Sequence, residues 1–235
     1  VSNGASFISE DGKTVLINDE KWYEVLEQVR KWIHEEKIMS IHSGGQGWEY
    51  WYKTMDDWVY GLSLGYTGSP GDYAIALEAV KKANEEGYMN EFAVTHQPGW
   101  GSNDPAPYFT SLMYYIPKGE NVTEEQKLGA AEFVTFATST ENTASFAMAT
   151  GYVAVRNSVL ELAQYQAYLI ENPDADAALK QIDLYAVPEF VDPTGGAIIS
   201  ALTEAVDKIE IENKEVQAAL DEAAEKAQRE LDKIQ

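Results

Sequence analysis

Short apolar runs alternate along this chain with longer stretches whose apolar residues recur every three or four positions. That alternation limits the fold more than any other feature. Trp22, Val25, Leu26, Val29, Trp32 and Ile33 lie on one face of a helix spanning about 20–37, the spacing of a helix resting on a core, with Asn18 or Asp19 placed to cap it. Comparable patterns predict helices over 73–86, 124–137, 140–150, 157–172, 175–185, 197–210 and 214–234. Residues 62–66, 91–95 and 108–116 read as short buried strands, and 7–17 as a hairpin-like element around Glu10-Asp11-Gly12. Ser43 to Gly47 reads as a flexible loop, followed by an aromatic cluster of Trp48, Tyr50, Trp51, Tyr52, Trp58 and Tyr60. Strands alternating with helices predict an α/β fold with a largely parallel sheet.

The 235 residues suffice for one large domain or two modest ones. Seventeen basic residues against thirty-nine acidic ones give a net charge of -22. Such a field repels a phosphate backbone and disfavours anionic membrane surfaces, so nucleic acid is excluded and a neutral partner is easiest to accommodate. With no cysteine, the chain has no disulfide, no thiolate nucleophile and no thiolate metal site. No apolar run approaches the ~20 residues that cross a bilayer. Val1 opens onto polar sequence without a basic n-region or an apolar h-region, so export is not legible in the residues.

Catalysis finds little support. His34, His42 and His96 are scattered, and no metal-binding His-Glu-x-x-His helix, phosphate loop or Gly-x-Ser-x-Gly elbow occurs. No cofactor motif is present. The many carboxylates could supply a glycosidase pair, although Glu35-Glu36 and Glu85-Glu86 read as solvated helix faces.

Two loops offer binding chemistry instead. Thr67-Gly68-Ser69-Pro70-Gly71-Asp72 follows an apolar run and opens a helix, so its amides and hydroxyl can orient a ligand's oxygens. The competing reading is a capped helix start with proline near its first position. The loop holds no Lys or Arg and carries Asp72, which suits a neutral sugar better than a phosphate. Trp100 lies between glycines, where its ring could stack on a sugar face; the competing reading is a loop anchor tucked into the core. Trp48 and Trp51 read rather as packing residues, and Trp22 and Trp32 as core.

Two further segments carry a family resemblance. Residues 129–142, from Gly129-Ala130-Ala131-Glu132-Phe133-Val134 onward, lead through Phe146-Ala147-Met148-Ala149-Thr150-Gly151-Tyr152-Val153-Ala154-Val155-Arg156. Near the C-terminus stands Leu220-Asp221-Glu222-Ala223-Ala224-Glu225-Lys226-Ala227-Gln228. In this order they resemble the hinge-region and C-terminal motifs of family 1 bacterial extracellular solute-binding proteins, in the glycerol-phosphate- and maltodextrin-binding branch. The resemblance extends from about Gly4 onward.

It implies a type II periplasmic-binding-protein-like fold, present as one lobe plus the re-entrant segment of the other. Residues 1–107 and 156–235 would then belong to the second lobe, and 108–155 to the crossover and helices of the first. Family members are longer and begin with a strand of the first lobe, so an N-terminal lobe portion is implied as a partner. Helices 124–137 and 140–150 would then lack their sheet and expose Phe133, Phe136 and Phe146. The implied function is capture of a sugar or short oligosaccharide outside the cytoplasm, in the periplasm or as a cell-surface lipoprotein, for delivery to the permease subunits of an ABC importer. Tyr152 matches a position where a family tyrosine reaches the ligand. Tyr108 and Phe109 fall at the interlobe crossover, giving Thr67, Gly68, Ser69, Trp100, Tyr108, Phe109 and Tyr152 as expected ligand contacts. Arg156 reads as a structural ion-pair residue. The phosphate-binding branch uses a late basic residue, and Pro193-Thr194-Gly195-Gly196 has none. A carbohydrate-active hydrolase with paired carboxylates and a ligand-free interaction domain are the rival functions.

Overall fold

A computed structural model describes residues 2–43, 47–88, 91–109, 113–116, 118–119 and 121–235. The chain forms two compact units, one of Val1–Thr54, Pro98–Tyr108 and Val187–Gln235, the other of Met55–Gln97 and Phe109–Ala186. Helices dominate both.

In the first unit, Asp19 starts α1 (Glu20–His34) by accepting from the backbone N–H groups of Lys21 and Trp22, satisfying donors that have no partner within the helix. The helix ends three residues short of the expected 37, because Lys37 adopts a left-handed φ of 57° that helical backbone does not tolerate. Its Leu26 is buried against α8 (Ala197–Glu212) and α9 (Val216–Asp232). A left-handed Asn213 terminates α8. Ion pairs join Glu204 to Lys226 and Lys208 to Glu222, an order that marks the two helices as antiparallel. Ala201, Ala205, Ala219, Ala223 and Ala227 all lie in their buried cluster, where small side chains let helices approach closely while Ile198, Ile209, Leu220 and Leu231 fill the space beside them. The N-terminal residues 7–17 do form a hairpin-like element, with an antiparallel bridge between Ile8 and Val15. Gln228 of α9 holds it, accepting from Val15 N–H at 2.7 Å and donating to the Lys13 carbonyl at 2.9 Å.

The second unit begins in α2 (Glu49–Val59), whose Met55, Trp58 and Val59 are buried. It continues through α3 (Tyr73–Glu86), α4 (Glu124–Ala137), α5 (Thr140–Thr150), α6 (Ala163–Glu171) and α7 (Ala177–Tyr185). Ala144, Ala147, Val159 and Tyr165 form one core cluster, flanked by Met148, Leu162 and Leu169. Capping is strong at α4, where Thr123 and Gln126 exchange side-chain-to-backbone bonds. Yet α4 buries no residue: Leu128, Phe133 and Phe136 are exposed, as is Phe146 of α5.

Several expected elements take another form. Residues 62–66 are no strand: the N–H groups of Leu62 and Ser63 both donate to the Asp57 carbonyl at the end of α2, and Leu62 and Leu64 face solvent. Residues 91–95 are irregular as well, with Val94 N–H bonded to the Asp174 carboxylate rather than to a strand. The strand expected over 108–116 is confined to β1 (Tyr108–Phe109); residues 110–112 of that span lie outside the described residues. β1 pairs with β2 (Val187–Pro188) in a two-stranded sheet, the only sheet among the described residues, in place of the expected largely parallel one. The helix expected over 157–172 is a tight turn, Asn157–Glu161, and then α6, because Leu162 is extended between them. α2 was not expected as a helix; the loop before it includes Gly44, Gly45 and Gln46, which lie outside the described residues.

Burial sets the expected energetics. Leu220 has no exposed surface, so Leu220→Ala should lower stability by about 2–5 kcal/mol. Phe136→Ser, at a side chain that touches mostly solvent, should change the stability of this chain by no more than about 0.5 kcal/mol. Urea unfolding of the two variants checks both, and equal losses would contradict this placement of the core.

Candidate ligand-binding site

The loop 67–72 is built by a reciprocal pair of hydrogen bonds. Ser69 is extended, with φ -82° and ψ 151°, and its Oγ accepts from Gly71 N–H at 3.2 Å. The Asp72 carboxylate reaches back to accept from Ser69 N–H at 3.1 Å. Pro70 supplies a preset φ at the first position of the short helical turn Pro70–Asp72, which runs on into α3. The expected helix cap is therefore present, and Ser69 Oγ, while accepting, still has its own proton to donate. Thr67, Gly68 and Ser69 are all exposed.

Aromatic rings flank this turn. Gly68 sits so close to the Tyr66 ring and the Asp72 carboxylate that a Cβ there would collide with both. Tyr66 packs edge-on to Trp58, centroids 5.3 Å apart, and Trp58 packs edge-on to Phe92 at the same separation. Burial, with a smaller contribution from the Asp72 charge, pushes the Tyr66 phenol up to about 12.

Tyr152 reaches the same turn from the end of α5. Gly151 closes α5 in the left-handed conformation, φ +87°, and a Cβ on it would stand 2.5 Å from Tyr73 Cβ and 2.6 Å from the Pro70 carbonyl oxygen. Tyr152 N–H donates to Thr150 Oγ1. Its ring stacks near-parallel on Phe146, at 5.9 Å and 15°, and is 45% exposed. Thr67, Gly68, Ser69 and Tyr152 are thus assembled around one turn, with the Tyr152 ring partly exposed beside it.

The other expected contacts lie in the first unit or at its boundary. Trp100 is half-buried; its indole N–H donates to Glu24 of α1 at 2.9 Å, its backbone N–H donates to Ser2 Oγ, and its ring lies 6.3 Å from that of Trp32. The polar edge of the indole is therefore already occupied. Tyr108 joins Phe7, which stacks on Phe190 at 4.4 Å. Burial, and secondarily Glu189, raises the Tyr108 phenol. Phe109 is exposed. Among the described residues Arg156 has no ion-pair partner of the kind expected: its guanidinium donates to the carbonyl and hydroxyl of Thr138 and so caps the end of α4. The sequence places Gly71 in the turn but gives no sign of its contact with Tyr152, nor of Tyr66 and Phe146 beside it. Tyr66 was read as a strand end, and only the proximity of 66 to 72 could have signalled it.

Among the described residues no group of three His, Asp or Glu side chains could hold a metal ion, and no helix is long and apolar enough to cross a membrane. Residues 2–174 match the model of a family described as bacterial extracellular solute-binding protein. The chain belongs to that family. This bacterial extracellular solute-binding protein also resembles solved structures over 99% of its length. One is UgpB from Mycobacterium tuberculosis in complex with glycerophosphocholine, with a TM-score of 0.74 at 20% identity. Another is the cyclic alpha-maltosyl-1,6-maltose binding protein from Arthrobacter globiformis, with a TM-score of 0.62 at 17% identity. At such identities the likeness shows the fold: periplasmic-binding-protein-like, of mixed α/β class and mostly helical here. The chain spans about half of each of these proteins, 54% in both cases. A search of curated proteins gives no match.

The raised Tyr66 phenol gives a pH prediction. Folding holds this group protonated above its ordinary value near 10, so its contribution to stability is complete below pH ~10 and is lost as pH rises through ~12. In a difference titration followed by ultraviolet absorbance, Tyr66→Phe should remove one phenol that ionises near 12, and the variant should lose less stability than the parent between pH 10 and 12. Removal of a phenol that ionises near 10 would show that Tyr66 is solvated.

Proposed function

We propose that this solute-binding protein captures a neutral sugar or short oligosaccharide and passes it to the permease of an ABC importer, in the periplasm or from a cell-surface lipid anchor. It acts as a binding protein and catalyses no reaction. The observation that carries the ligand class is the turn 67–72 with the Tyr152 ring beside it. The exposed residues Thr67, Gly68 and Ser69, the last with a hydroxyl proton to donate, stand beside a partly exposed tyrosine ring, and no basic side chain lies within the turn. A sugar offers hydroxyls to the one and a C–H face to the other. The Pro193–Gly196 segment supports neutrality too. The Asp192 carboxylate already accepts from the N–H groups of Thr194, Ile198 and Ile199 there, taking the anion position at the start of α8. Thr67, Gly68, Ser69 and Tyr152 are the proposed polar and stacking contacts of the second unit; Trp100, Tyr108 and Phe109 are proposed separately as aromatic ligand contacts.

The same reading extends to the rest of the protein. An N-terminal lobe portion covers the exposed α4 face with Leu128, Phe133 and Phe136, which accounts both for a capped helix that buries nothing and for the half-length match to solved relatives.

Calorimetric titration of the full-length protein with a panel of neutral sugars including maltose, and with glycerophosphocholine as the charged comparison, tests the function. A neutral sugar should bind and glycerophosphocholine should not; the reverse outcome contradicts the ligand class. Trp100→Ala should weaken sugar binding by ~2 kcal/mol through lost apolar cover. Ser69→Ala should cost about 0.5–1.5 kcal/mol through one hydrogen bond. A Trp100→Ala variant that binds like the parent but melts much lower would make Trp100 a packing residue of α1 alone.

A further inference from the structure

Gly71 has no conformational need to be glycine, because its φ lies outside the left-handed region that excludes side chains. Space is what it lacks. A Cβ built on it would lie 2.5 Å from Cζ, 2.6 Å from Cε2 and 2.8 Å from Oη of Tyr152, far inside van der Waals contact. The phenol end of Tyr152 therefore rests directly on the backbone of the turn, at the place a methyl group would fill.

Of the two partners, the ring is the one able to move. The turn is held by the paired Ser69 and Asp72 bonds, and the backbone before Tyr152 is held by Gly151 against Pro70 and Tyr73. The Tyr152 ring, by contrast, is 45% exposed and kept in place by its stack on Phe146. We infer that Gly71 is a positioning residue: its missing side chain is the seat that fixes the Tyr152 ring beside Gly68 and Ser69, and so sets the spacing between stacking face and hydrogen-bonding groups that a sugar ring must match. This rests on the proposed ligand site, but the seat itself is a property of the fold and is measurable without ligand. A methyl at 71 drives the ring off Phe146 into solvent while leaving the turn and α5 folded.

Fluorine NMR of the protein labelled with 3-fluorotyrosine tests the seat, with the Tyr152 resonance assigned by its loss in Tyr152→Phe. Gly71→Ala should shift that resonance toward the solvent-exposed position and leave the Tyr165 resonance, in the core, unchanged. An unmoved Tyr152 resonance overturns the inference. In parallel, the tightest-binding neutral sugar of the panel is titrated into Gly71→Ala, Tyr152→Ala and the double variant. Each single change should weaken binding about tenfold, the effect of losing one aromatic contact. The double variant should bind no more weakly than Tyr152→Ala, since without the ring the methyl has nothing to displace. A double variant weaker than Tyr152→Ala by the full single-variant factor overturns the inference. If the resonance shifts but Tyr152→Ala binds like the parent, the seat stands and the ligand site is wrong. Should Gly71→Ala fail to fold, recovery of folding in the double variant supports the seat, and failure of both overturns it.

Discussion

Contact of Gly151 with the Pro70 carbonyl and Tyr73 Cβ joins two segments about eighty residues apart in sequence, and the arrangement of the 67–72 turn with Tyr152 depends on it. Only glycine serves there, on two independent grounds: the position needs a left-handed φ, and a side chain would meet backbone. From that approach follow the placement of Tyr152 over Gly71, the stack of Tyr152 on Phe146 and the exposure of a ring face beside the Ser69 turn. The turn in turn is stiff because its hydrogen bonds are reciprocal, with Ser69 as acceptor through its hydroxyl and donor through its backbone. A preorganised site loses little entropy when it takes up a ligand, which suits the proposed role in capture.

The first unit meets a different physical demand. Alanines let α8 and α9 lie close, and the surrounding Ile and Leu side chains bury fully, so the hairpin is a dense anchor. Its surface ion pairs are exposed and contribute little to stability. Gln228 then ties the N-terminal hairpin-like element to the C-terminal helix through two backbone bonds. In the second unit α4 is the opposite case: well capped, apolar along one side and uncovered. Local sequence suffices to make that helix, and what should cover it is a tertiary matter.

Helices were legible because their signals are local. The spans 73–86, 124–137 and 140–150 match the structure to the residue, each bounded by a cap or a terminating residue visible in the sequence. The strands were not legible, since a short apolar run shows nothing about which acceptor its N–H groups will find. Leu62 and Ser63 find the end of α2, and Val94 finds a carboxylate eighty positions away. The candidate site divides the same way. Ser69 and Gly68 were evident from Gly-Ser-Pro-Gly-Asp, and Tyr152 only through family likeness. The close seat of Tyr152 on Gly71 has no sequence period to betray it. Trp100 shows the converse: glycine neighbours suggest a stacking plate in a loop, while its indole N–H is bonded to Glu24, far away in sequence.

The central claim is that the 67–72 turn and the Tyr152 ring together hold a neutral sugar. A crystal structure of the full-length protein with the tightest-binding neutral sugar of the panel tests it most directly. The account predicts sugar hydroxyls within hydrogen-bonding distance of the Gly68–Ser69 segment and a sugar ring face against Tyr152. A sugar bound elsewhere, with the Tyr152 ring covered by protein and the turn in contact only with its own side chains, would contradict it.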